Sequence, residues 1–342
     1  AKLNNKKRVI TLSSNENPYG ASPKAIELLE TKNINHDLHR YPEIDGSSLR
    51  EAIAKNFSID SNRIILGSGS DEVLLFAALA FCQDGDEILH ANHGFEMYSI
   101  VSKVVGAVPK KIKEDVNFNL NIENLIDQTN DATKVIYIAS PNNPTGTYLS
   151  RDQLVKLMNS ISKNIIVVID GAYVEYVQKD DYDKGFSLTD EYENIILTRT
   201  FSKTYGLAAL RVGWCYTSQK IADIINKIKP PFNTTTISQS LAIKALEDKE
   251  HIENSVKLNS EIKDWFEKEL KLLNIKTRQT EGNFTLIETS EEEAEKISNH
   301  LMNDGIIIRR LNSYNLPNFL RISIGTKEEM NLTVESLKKF NV

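Results

Sequence analysis

The sequence predicts an α/β protein in which helices cover both faces of a mostly parallel sheet. Short apolar runs alternate with longer amphipathic stretches along the chain, a pattern typical of strands separated by helices. Two of the runs, 134–139 and 165–170, are almost entirely apolar and rich in β-branched residues. Strands of that composition indicate a sheet that is buried on both faces.

Five strands are predicted, and each pair of consecutive strands leaves room for a helix between them. They are residues 63–66, 87–91, 134–139, 165–170 and 194–198. In an open parallel sheet, ligands bind beyond the carboxyl ends of the strands. The segments that follow these strands are therefore the first places to search for a functional site.

Several helix ends are marked by capping residues. Ser22 and Pro23 offer an N-cap and a first-turn proline. Capping boxes, in which Ser or Thr is followed three residues later by Gln or Glu, are predicted at Ser150–Gln153, Ser290–Glu293 and Thr326–Glu329. Gly305 is expected to end the helix that begins at Ser290.

The length of 342 residues predicts more than one hydrophobic core. We expect a large domain over residues 46–245, with the mostly parallel sheet. We expect a smaller α+β domain that combines residues 1–45 with residues 246–342. The long, charged and periodic segment 257–273 is expected to link the two.

The composition argues against a protein that binds nucleic acid or a membrane. The net charge is −6, whereas nucleic acids and anionic membranes attract concentrated positive charge. No apolar run approaches the about 20 residues that a membrane helix needs, and no signal peptide is visible. Cys82 and Cys215 lie far apart in apolar surroundings. They are expected to be free thiols, which favours a cytoplasmic location.

The segment 67–72, Gly-Ser-Gly-Ser-Asp-Glu, follows the first predicted strand and leads into a helix. Its glycines allow close approach of the backbone, and the helix start offers free N–H groups, so it can bind a phosphate. Taken alone, it fits a capped helix after a tight turn equally well. It has neither the third glycine of a dinucleotide fingerprint nor the lysine of a P-loop.

Two further segments place polar side chains at strand ends. Residues 140–146 contain two prolines that fix a turn, from which the Asn142 and Asn143 amides can reach a polar group on a bound ring. Asp170 ends a buried strand, where it can hold a cation such as a protonated pyridine nitrogen. Tyr173 lies close enough in sequence to reach an oxygen of the same ring. A plain loop and a turn with a packed tyrosine are the alternatives.

The fourth segment contains Lys203, flanked by hydroxyl side chains and followed by Arg211. Hydroxyls and a guanidinium suit a phosphate dianion. A lysine can attack a carbonyl when its amine is neutral. A single lysine is usually a solvated surface residue, but four matching segments in this order argue against that interpretation.

The chain resembles the fold-type I, aspartate-aminotransferase-like enzymes, which use pyridoxal 5′-phosphate (PLP), over nearly its whole length. Lys203 and residues 141–146 indicate this broad family. The strings Asn-Glu-Asn-Pro-Tyr-Gly at 15–20, Pro-Pro-Phe-Asn at 230–233 and Leu-Pro-Asn-Phe-Leu-Arg at 316–321 favour its histidinol-phosphate aminotransferase branch. The resemblance implies a transaminase of histidine biosynthesis. Its reaction would convert L-histidinol phosphate and 2-oxoglutarate to imidazole-acetol phosphate and glutamate.

The resemblance also implies roles for the residues around the cofactor. Lys203 would hold PLP as a Schiff base and shuttle a proton between the substrate and the cofactor. Asp170 would keep the pyridine nitrogen protonated, so that the ring draws electrons from the substrate. Tyr173 and Asn143 would hydrogen-bond the ring oxygen, and Phe95 would stack on the ring.

Further residues would bind the cofactor phosphate and the substrate. The phosphate would be held by Ser70, Asp71, Thr200, Ser202 and Arg211, and by Tyr41 from the neighbouring subunit. Arg321 would bind the phosphate of histidinol phosphate in one half-reaction and a glutamate carboxylate in the other. Tyr19 and Asn17 would line the substrate pocket. The role of Tyr41 implies a homodimer.

The chain departs from the family pattern at several positions that affect pocket shape and loop rigidity. Gly171 stands where glutamate is usual, and His93-Gly94 where Pro-Thr is common. Ala209 and Asn315 replace frequent glycines, and Arg310 a frequent proline. The segment before Asn15 is also shorter than usual. These departures remove none of the proposed catalytic groups.

Other functions remain open at this stage. Decarboxylation of phosphorylated threonine and transamination of aromatic amino acids would use the same fold, and Arg321 serves the first equally well. A non-catalytic phosphate-binding module would use residues 67–72, but the chain offers no lysine near that loop. No metal site is expected, because two histidine pairs lack carboxylate or thiol groups at ligand spacing: His36 with His39, and His90 with His93.

Overall fold

The described part of the chain folds around two separate β-sheets. The computed structural model describes residues 9–31 and 39–340. In chain order the strands are β1 (Ile10–Leu12), β2 (Ile64–Gly67), β3 (Glu87–Ala91), β4 (Val108–Ile112), β5 (Thr133–Ala139), β6 (Ile166–Asp170), β7 (Ile195–Thr200), β8 (Gly213–Thr217), β9 (Lys276–Arg278), β10 (Phe284–Glu288), β11 (Ile306–Leu311) and β12 (Leu316–Ser323).

Helices connect most of these strands. They are α1 (Pro23–Glu30), α2 (Ser47–Phe57), α3 (Ser70–Phe81), α4 (Met97–Val104), α5 (Ile122–Asp127), α6 (Arg151–Ser160), α7 (Leu188–Glu191), α8 (Gln219–Ile228), α9 (Thr236–Glu247), α10 (Lys249–Leu272), α11 (Glu291–Asn303) and α12 (Lys327–Phe340). Within the described ranges, no helix combines the length and apolarity needed to cross a membrane.

The larger sheet has seven strands in the order β2-β8-β7-β6-β5-β3-β4. The neighbouring pairs among β3 to β7 are parallel, and β8 runs antiparallel to both of its neighbours. All five predicted strands are present, with ends within two residues of the prediction. The predicted α/β class with a mostly parallel sheet is therefore confirmed.

Both faces of the larger sheet are buried, because helices pack on each of them. Along β5, Val135 and Tyr137 join the core on one face, and Ile136 and Ile138 join the core on the other. Side chains alternate between the faces of a strand, so a strand between two helix layers must be apolar at every position. This explains the unbroken apolar runs in the sequence.

The smaller sheet has five strands in the order β1-β11-β12-β10-β9. Strand β1, from the N-terminal part of the chain, pairs in parallel with β11, and the other pairs are antiparallel. The 24-residue helix α10, which covers most of the predicted linking segment, packs with α11 and α12 on this sheet. The larger sheet lies within residues 46–245 and the smaller sheet outside them. The domain boundaries themselves stay a prediction.

The capping predictions hold with two differences. The capping box at Ser150 is complete, and so is the one at Thr326, where Thr326 N–H donates to Glu329 at 2.8 Å. Ser290 accepts from Glu293 N–H at 3.1 Å, but the Glu293 carboxylate contacts Thr289 instead of returning to Ser290. Ser22 occupies the N-cap position of α1, yet its hydroxyl donates to Asp248 at 2.6 Å.

Candidate active site

A cavity of about 210 Å³ opens at the carboxyl ends of the parallel strands. Segments at the ends of β2, β3, β5, β6 and β7 form its wall. Ten of the residues predicted for the site line it: Ser70, Asp71, Phe95, Asn143, Asp170, Tyr173, Thr200, Ser202, Lys203 and Arg211. The four segments singled out in the sequence therefore meet in one pocket.

A larger and more open cleft, of about 670 Å³, lies elsewhere on the molecule. Its charged groups are already paired, since Lys179 Nζ lies 3.4 Å from Glu281 and Tyr148 donates to Asp181 at 2.8 Å. It is lined by none of the predicted site residues. The smaller cavity, with its convergent polar groups, is the candidate active site.

One end of the cavity is built to bind an anion. Helix α3 begins at Ser70, directly after Gly69, whose φ of 82° places it in the left-handed region. A Cβ at Gly69 would overlap the guanidinium of Arg211, so glycine is needed here for space as well as for backbone conformation. Arg211 Nη1 donates to Ser202 Oγ at 3.3 Å, and Nη2 lies 3.3 Å from Asp71. Helix N–H groups, hydroxyls and a guanidinium thus converge, as a phosphate requires.

This anion-binding end is held in place by Asn233, a residue of the Pro-Pro-Phe-Asn string. Its amide donates to Leu66 O at 3.0 Å and to Glu72 Oε2 at 2.7 Å. Glu72 Oε2 also accepts from Ser68 N–H at 2.6 Å. These bonds fix the loop between β2 and α3, which explains why two distant motifs occur together in the sequence.

Asp170 lies at the other end of the cavity with its carboxyl buried. It accepts hydrogen bonds from Tyr98 Oη at 2.9 Å and Thr198 Oγ1 at 3.1 Å. Burial raises the pKa of Asp170, and the hydrogen bonds from Tyr98 and Thr198 oppose that rise. A buried carboxylate in this position gains from a cationic partner supplied by a ligand. Tyr98 and Thr198 were not among the predicted site residues, because both reach Asp170 only through the fold.

Lys203 and Tyr173 lie near each other in the wall of the cavity. Lys203 Nζ donates to Ser14 O at 2.9 Å and lies 5.8 Å from the centre of the Tyr173 ring. Tyr173 is buried, and its hydroxyl accepts from Asn15 Nδ2 at 2.9 Å. Phe95 packs edge-to-face on Tyr98 at 5.9 Å, next to the partner of Asp170.

Arg321, on β12, reaches the cavity through Asn143. Its Nη1 donates to Asn143 Oδ1, and its Nη2 donates to Ser13 O at 2.7 Å. Its buried Nε has no hydrogen-bond partner among the residues that the structure describes. Burial lowers the pKa of Arg321, and no ion pair in the described part of the chain includes it. Arg309 lies directly opposite Arg321, on β11. It was not among the predicted site residues. Two arginines on one face of the sheet suit an anion with more than one charge.

Besides Arg321, three predicted residues do not line the cavity: Tyr41, Tyr19 and Asn17. Tyr41 is 81% exposed and stacks on Phe232 at 4.6 Å. Tyr19 packs against the core of the smaller sheet. The Asn17 amide donates to Thr204 O at 2.8 Å and to Ser255 Oγ at 3.1 Å. In the single chain, Asn17 therefore steadies the residue next to Lys203 and does not face the pocket.

The departure at Gly171 has a steric reason. Its backbone φ lies outside the left-handed region, but a Cβ there would overlap Arg199 Nη1 and lie 2.6 Å from Val174. Arg199 is buried and donates to Thr198 O at 2.7 Å. Its charge also opposes the rise that burial causes in the pKa of Glu175. The guanidinium thus occupies the space that a side chain at position 171 would need.

The departure at His93 anchors the loop that carries Phe95. Glu114 accepts from His93 N–H at 2.8 Å, and its second oxygen lies 3.1 Å from His93 Nδ1. The His93 carbonyl accepts from Asn142 Nδ2 at 3.1 Å. Because Glu114, His93 and Asn142 follow three neighbouring strands, these bonds join adjacent loops of the cavity wall.

These groups fit PLP, the cofactor expected from the sequence. The glycine-lined end, with Arg211 and the start of α3, matches a phosphate. The buried carboxyl of Asp170 matches a ring nitrogen that carries a proton, and the Lys203 amine matches an aldehyde. Within the described ranges, no group of three or more His, Cys, Asp or Glu side chains is placed to hold a metal ion. His36, which belongs to the first predicted histidine pair, lies outside the described residues.

Comparison with known proteins gives one family for almost the whole chain. The model of the family "Aminotransferase class I and II" matches residues 7–337. A protein of Dinoroseobacter shibae named histidinol-phosphate aminotransferase is 40% identical over 333 residues, which cover 97% of this chain and 91% of that protein. A protein of the same name from Pelagibacter ubique is 39% identical, with 100% and 94% covered.

Solved structures agree with this result at the level of the fold. The crystal structure of histidinol-phosphate aminotransferase from Sinorhizobium meliloti in complex with pyridoxal-5′-phosphate superposes with a TM-score of 0.90. It is 23% identical in sequence and covers 97% of this chain and 92% of that one. The fold-type I architecture expected from the sequence is therefore confirmed.

Proposed function

Because the chain belongs to the class I and II aminotransferases, we propose that it transfers the amino group of L-histidinol phosphate to 2-oxoglutarate with PLP as cofactor. The names of its relatives support this reaction and its place in histidine biosynthesis. The observation that carries the proposal is the cavity itself. It gathers the Lys203 amine, the buried Asp170 carboxyl and an anion-binding end, with Arg321 behind Asn143.

Different residues around the cavity hold different parts of the cofactor. When bound, PLP supplies an aldehyde that takes up the amino group and a ring that draws electrons from the substrate. Arg211, Ser202 and the start of α3 bind its phosphate. Asp170 keeps a proton on the ring nitrogen, and the hydrogen bonds from Tyr98 and Thr198 hold the carboxyl in position for this.

Lys203 moves the proton in the reaction. Its amine would take the proton from the α-carbon of the substrate and deliver it to the cofactor carbon that receives the amino group. Tyr173 and Asn143 would donate hydrogen bonds to the ring oxygen. Both side chains are held by neighbours, Tyr173 by Asn15 and Asn143 by Arg321, so their directions are set before a substrate enters.

Arg321 and Arg309 determine the substrate specificity of the site. In one half-reaction the substrate ends in a phosphate, and in the other it ends in a carboxylate. Both anions must bind at the same place. Guanidiniums bind both anions with paired hydrogen bonds. No ion pair in the described part of the chain includes Arg321, so the charge of its guanidinium is available for this anion.

A homodimer is part of the proposal. Tyr41 is 81% exposed and stacked on Phe232, so its hydroxyl is available to the site of a second copy. Mixing Tyr41→Ala chains with Lys203→Ala chains tests this arrangement. Mixed dimers are expected to regain activity, because each intact Lys203 then meets an intact Tyr41. Absence of any regain, with mixed dimers shown by light scattering and mass spectrometry, would exclude it.

We also propose a cytoplasmic location and the two domains predicted from the sequence. Cys82 and Cys215 are both free thiols, which suits a reducing compartment. The two sheets have separate cores and fall on either side of the proposed boundaries. Cell fractionation tests the first point, and limited proteolysis near residues 46 and 245 tests the second.

The reaction is tested by the half-reaction of the PLP form with single substrates. The visible absorbance of the bound PLP form is expected to fall fastest with histidinol phosphate and to recover with 2-oxoglutarate. Faster conversion with phenylalanine would instead favour an aromatic aminotransferase. Release of CO2 from phosphothreonine would favour a decarboxylase, and no spectral change with any amine would reject the proposal.

A further inference from the structure

Asn15 connects Tyr173 to strand β12 through buried hydrogen bonds. Asn15 is 1% exposed, and its Nδ2 donates to Tyr173 Oη at 2.9 Å. On its other side it contacts Ser323, which lies two residues after Arg321 on β12. Asn15 belongs to the Asn-Glu-Asn-Pro-Tyr-Gly string, yet neither the cofactor nor the substrate accounts for it.

The direction of each proton in this connection follows from the contacts. Asn15 N–H donates to Ser323 Oγ at 2.8 Å, and the Ser323 hydroxyl donates to Asn15 Oδ1 at 2.9 Å. The carbonyl end of the Asn15 amide therefore faces Ser323, and its NH2 end faces Tyr173. A tyrosine hydroxyl has a single proton. Because Tyr173 Oη accepts from Asn15, its own proton is free to point into the cavity.

We infer that Asn15 is a positioning residue that directs the Tyr173 hydroxyl to donate to the ring oxygen of the cofactor. It does so from a point anchored on β12, the strand that carries Arg321. The inference rests on the proposed function and deepens it, because Asn15 connects the strand of Arg321 with Tyr173 beside the cofactor.

The backbone of Asn15 explains how the amide is held. Its φ of 55° lies in the left-handed region, which Asn and Gly adopt more readily than other residues. Its carbonyl accepts from Asn283 Nδ2 at 3.0 Å. The bonds to the Asn15 backbone survive when the side chain is removed in Asn15→Gly. That substitution therefore separates the role of the amide from the role of the backbone.

Two substitutions of Asn15 test the inference. Asn15→Asp keeps the shape and the bond from Ser323, but it places an acceptor opposite Tyr173 and draws the tyrosine proton away from the cavity. Asn15→Gly removes the amide. Asn274 offers a matched control, because it is exposed, lies just beyond the end of α10 and has a φ of 58°. Asn274→Asp and Asn274→Gly make the same two side-chain replacements at a position far from Tyr173 in the fold.

The measurement is the affinity of the ligand-free protein for PLP, determined by titration, together with urea unfolding of each variant. Asn15→Asp and Asn15→Gly are expected to weaken PLP binding about tenfold, which corresponds to one hydrogen bond to a charged group. The Asn274 variants are expected to stay within about twofold of the unchanged protein.

A double-mutant cycle with Tyr173→Phe separates positioning from a general structural role. In the Tyr173→Phe background, Asn15→Gly is expected to change PLP affinity by less than about twofold, because there is no hydroxyl left to direct. An equal loss in both backgrounds, or no loss in either, would overturn the inference. If the unchanged protein still transaminates histidinol phosphate in that case, the proposed function stands and the inference alone fails.

Discussion

Arg309 on β11 lies directly opposite Arg321 on β12, so both side chains leave the same face of the smaller sheet. Like charges at directly opposed positions of an antiparallel pair destabilise a sheet. Burial adds to this cost by lowering the pKa of Arg321. The arrangement is explained if both guanidiniums bind the same substrate anion.

Replacing Arg309 is therefore expected to affect binding and stability in opposite directions. Arg309→Gln should raise the KM for histidinol phosphate about tenfold, since one charged contact to the anion is lost. It should also raise the free energy of unfolding by up to about 0.5 kcal/mol, since the repulsion is relieved. Steady-state kinetics and urea unfolding measure the two effects.

Arg310→Gln is the matched control for Arg309. Arg310 is the next residue along β11, so it faces the opposite side of the strand, and its Nη1 lies 3.6 Å from Glu295. The KM of the Arg310→Gln variant for histidinol phosphate is expected to be unchanged. If Arg309→Gln lowers stability and leaves KM unchanged, Arg309 supports the sheet and does not bind the substrate.

Asp170→Asn is expected to abolish most of the activity and to change how stability depends on pH. An amide cannot keep the ring nitrogen protonated, so we expect kcat to fall by a factor on the order of a hundred or more. Weakened PLP binding should accompany this loss. Spectroscopic titration and single-turnover kinetics measure both quantities.

The pH effect concerns the ligand-free protein. Burial raises the pKa of Asp170 in the folded state, so the stability that this group contributes is lost as the pH rises through that pKa. Asp170→Asn has no such loss. The stability of the variant relative to the unchanged protein should therefore increase as the pH rises from about 4 towards neutrality. A difference that is constant or decreases with pH would show that burial does not raise this pKa.

Gly171→Ala tests whether position 171 must be glycine to leave room for the Arg199 guanidinium. The added Cβ would overlap the guanidinium, so the free energy of unfolding is expected to fall by about 1–3 kcal/mol in urea. In an Arg199→Met background the same substitution should cost less than half as much, because a flexible side chain can yield. An equal cost in both backgrounds would mean that Val174 or the backbone is responsible.

Glu114→Ala is expected to loosen the loop that carries Phe95. Removing the carboxylate leaves the His93 N–H and Nδ1 without their partner, which should cost about 1–3 kcal/mol of stability. PLP binding should weaken as well, because Phe95 loses its fixed position. Glu123→Ala is the control, since Glu123 pairs with Lys156 in solvent. If both variants behave alike, Glu114 has no role in the site.

The strands and most of the cavity could be predicted because their signals are local. The run 134–139 is apolar at nearly every position since both faces of β5 are buried, and Asp170 is the last residue of β6. Lys203, Arg211 and the glycine loop then meet, because parallel strands end at one edge of the sheet.

The residues that support the site could not be predicted from the sequence, since their partners are distant along the chain. Tyr98 reaches Asp170 across 72 positions, and Asn15 reaches Ser323 across 308. Arg309 becomes visible only with the register of β11 against β12. Asn17 was predicted to line the pocket from a motif, but that motif gives no direction for its side chain, which turns to Thr204.

The most direct test of the central claim is to identify the lysine that holds the cofactor. The protein is loaded with PLP, the linkage is reduced with borohydride, and the modified peptide is sequenced by mass spectrometry. We predict that Lys203 carries the cofactor and that Lys203→Ala carries none at any position. Modification of a different lysine, or of none in the unchanged protein, would contradict the account.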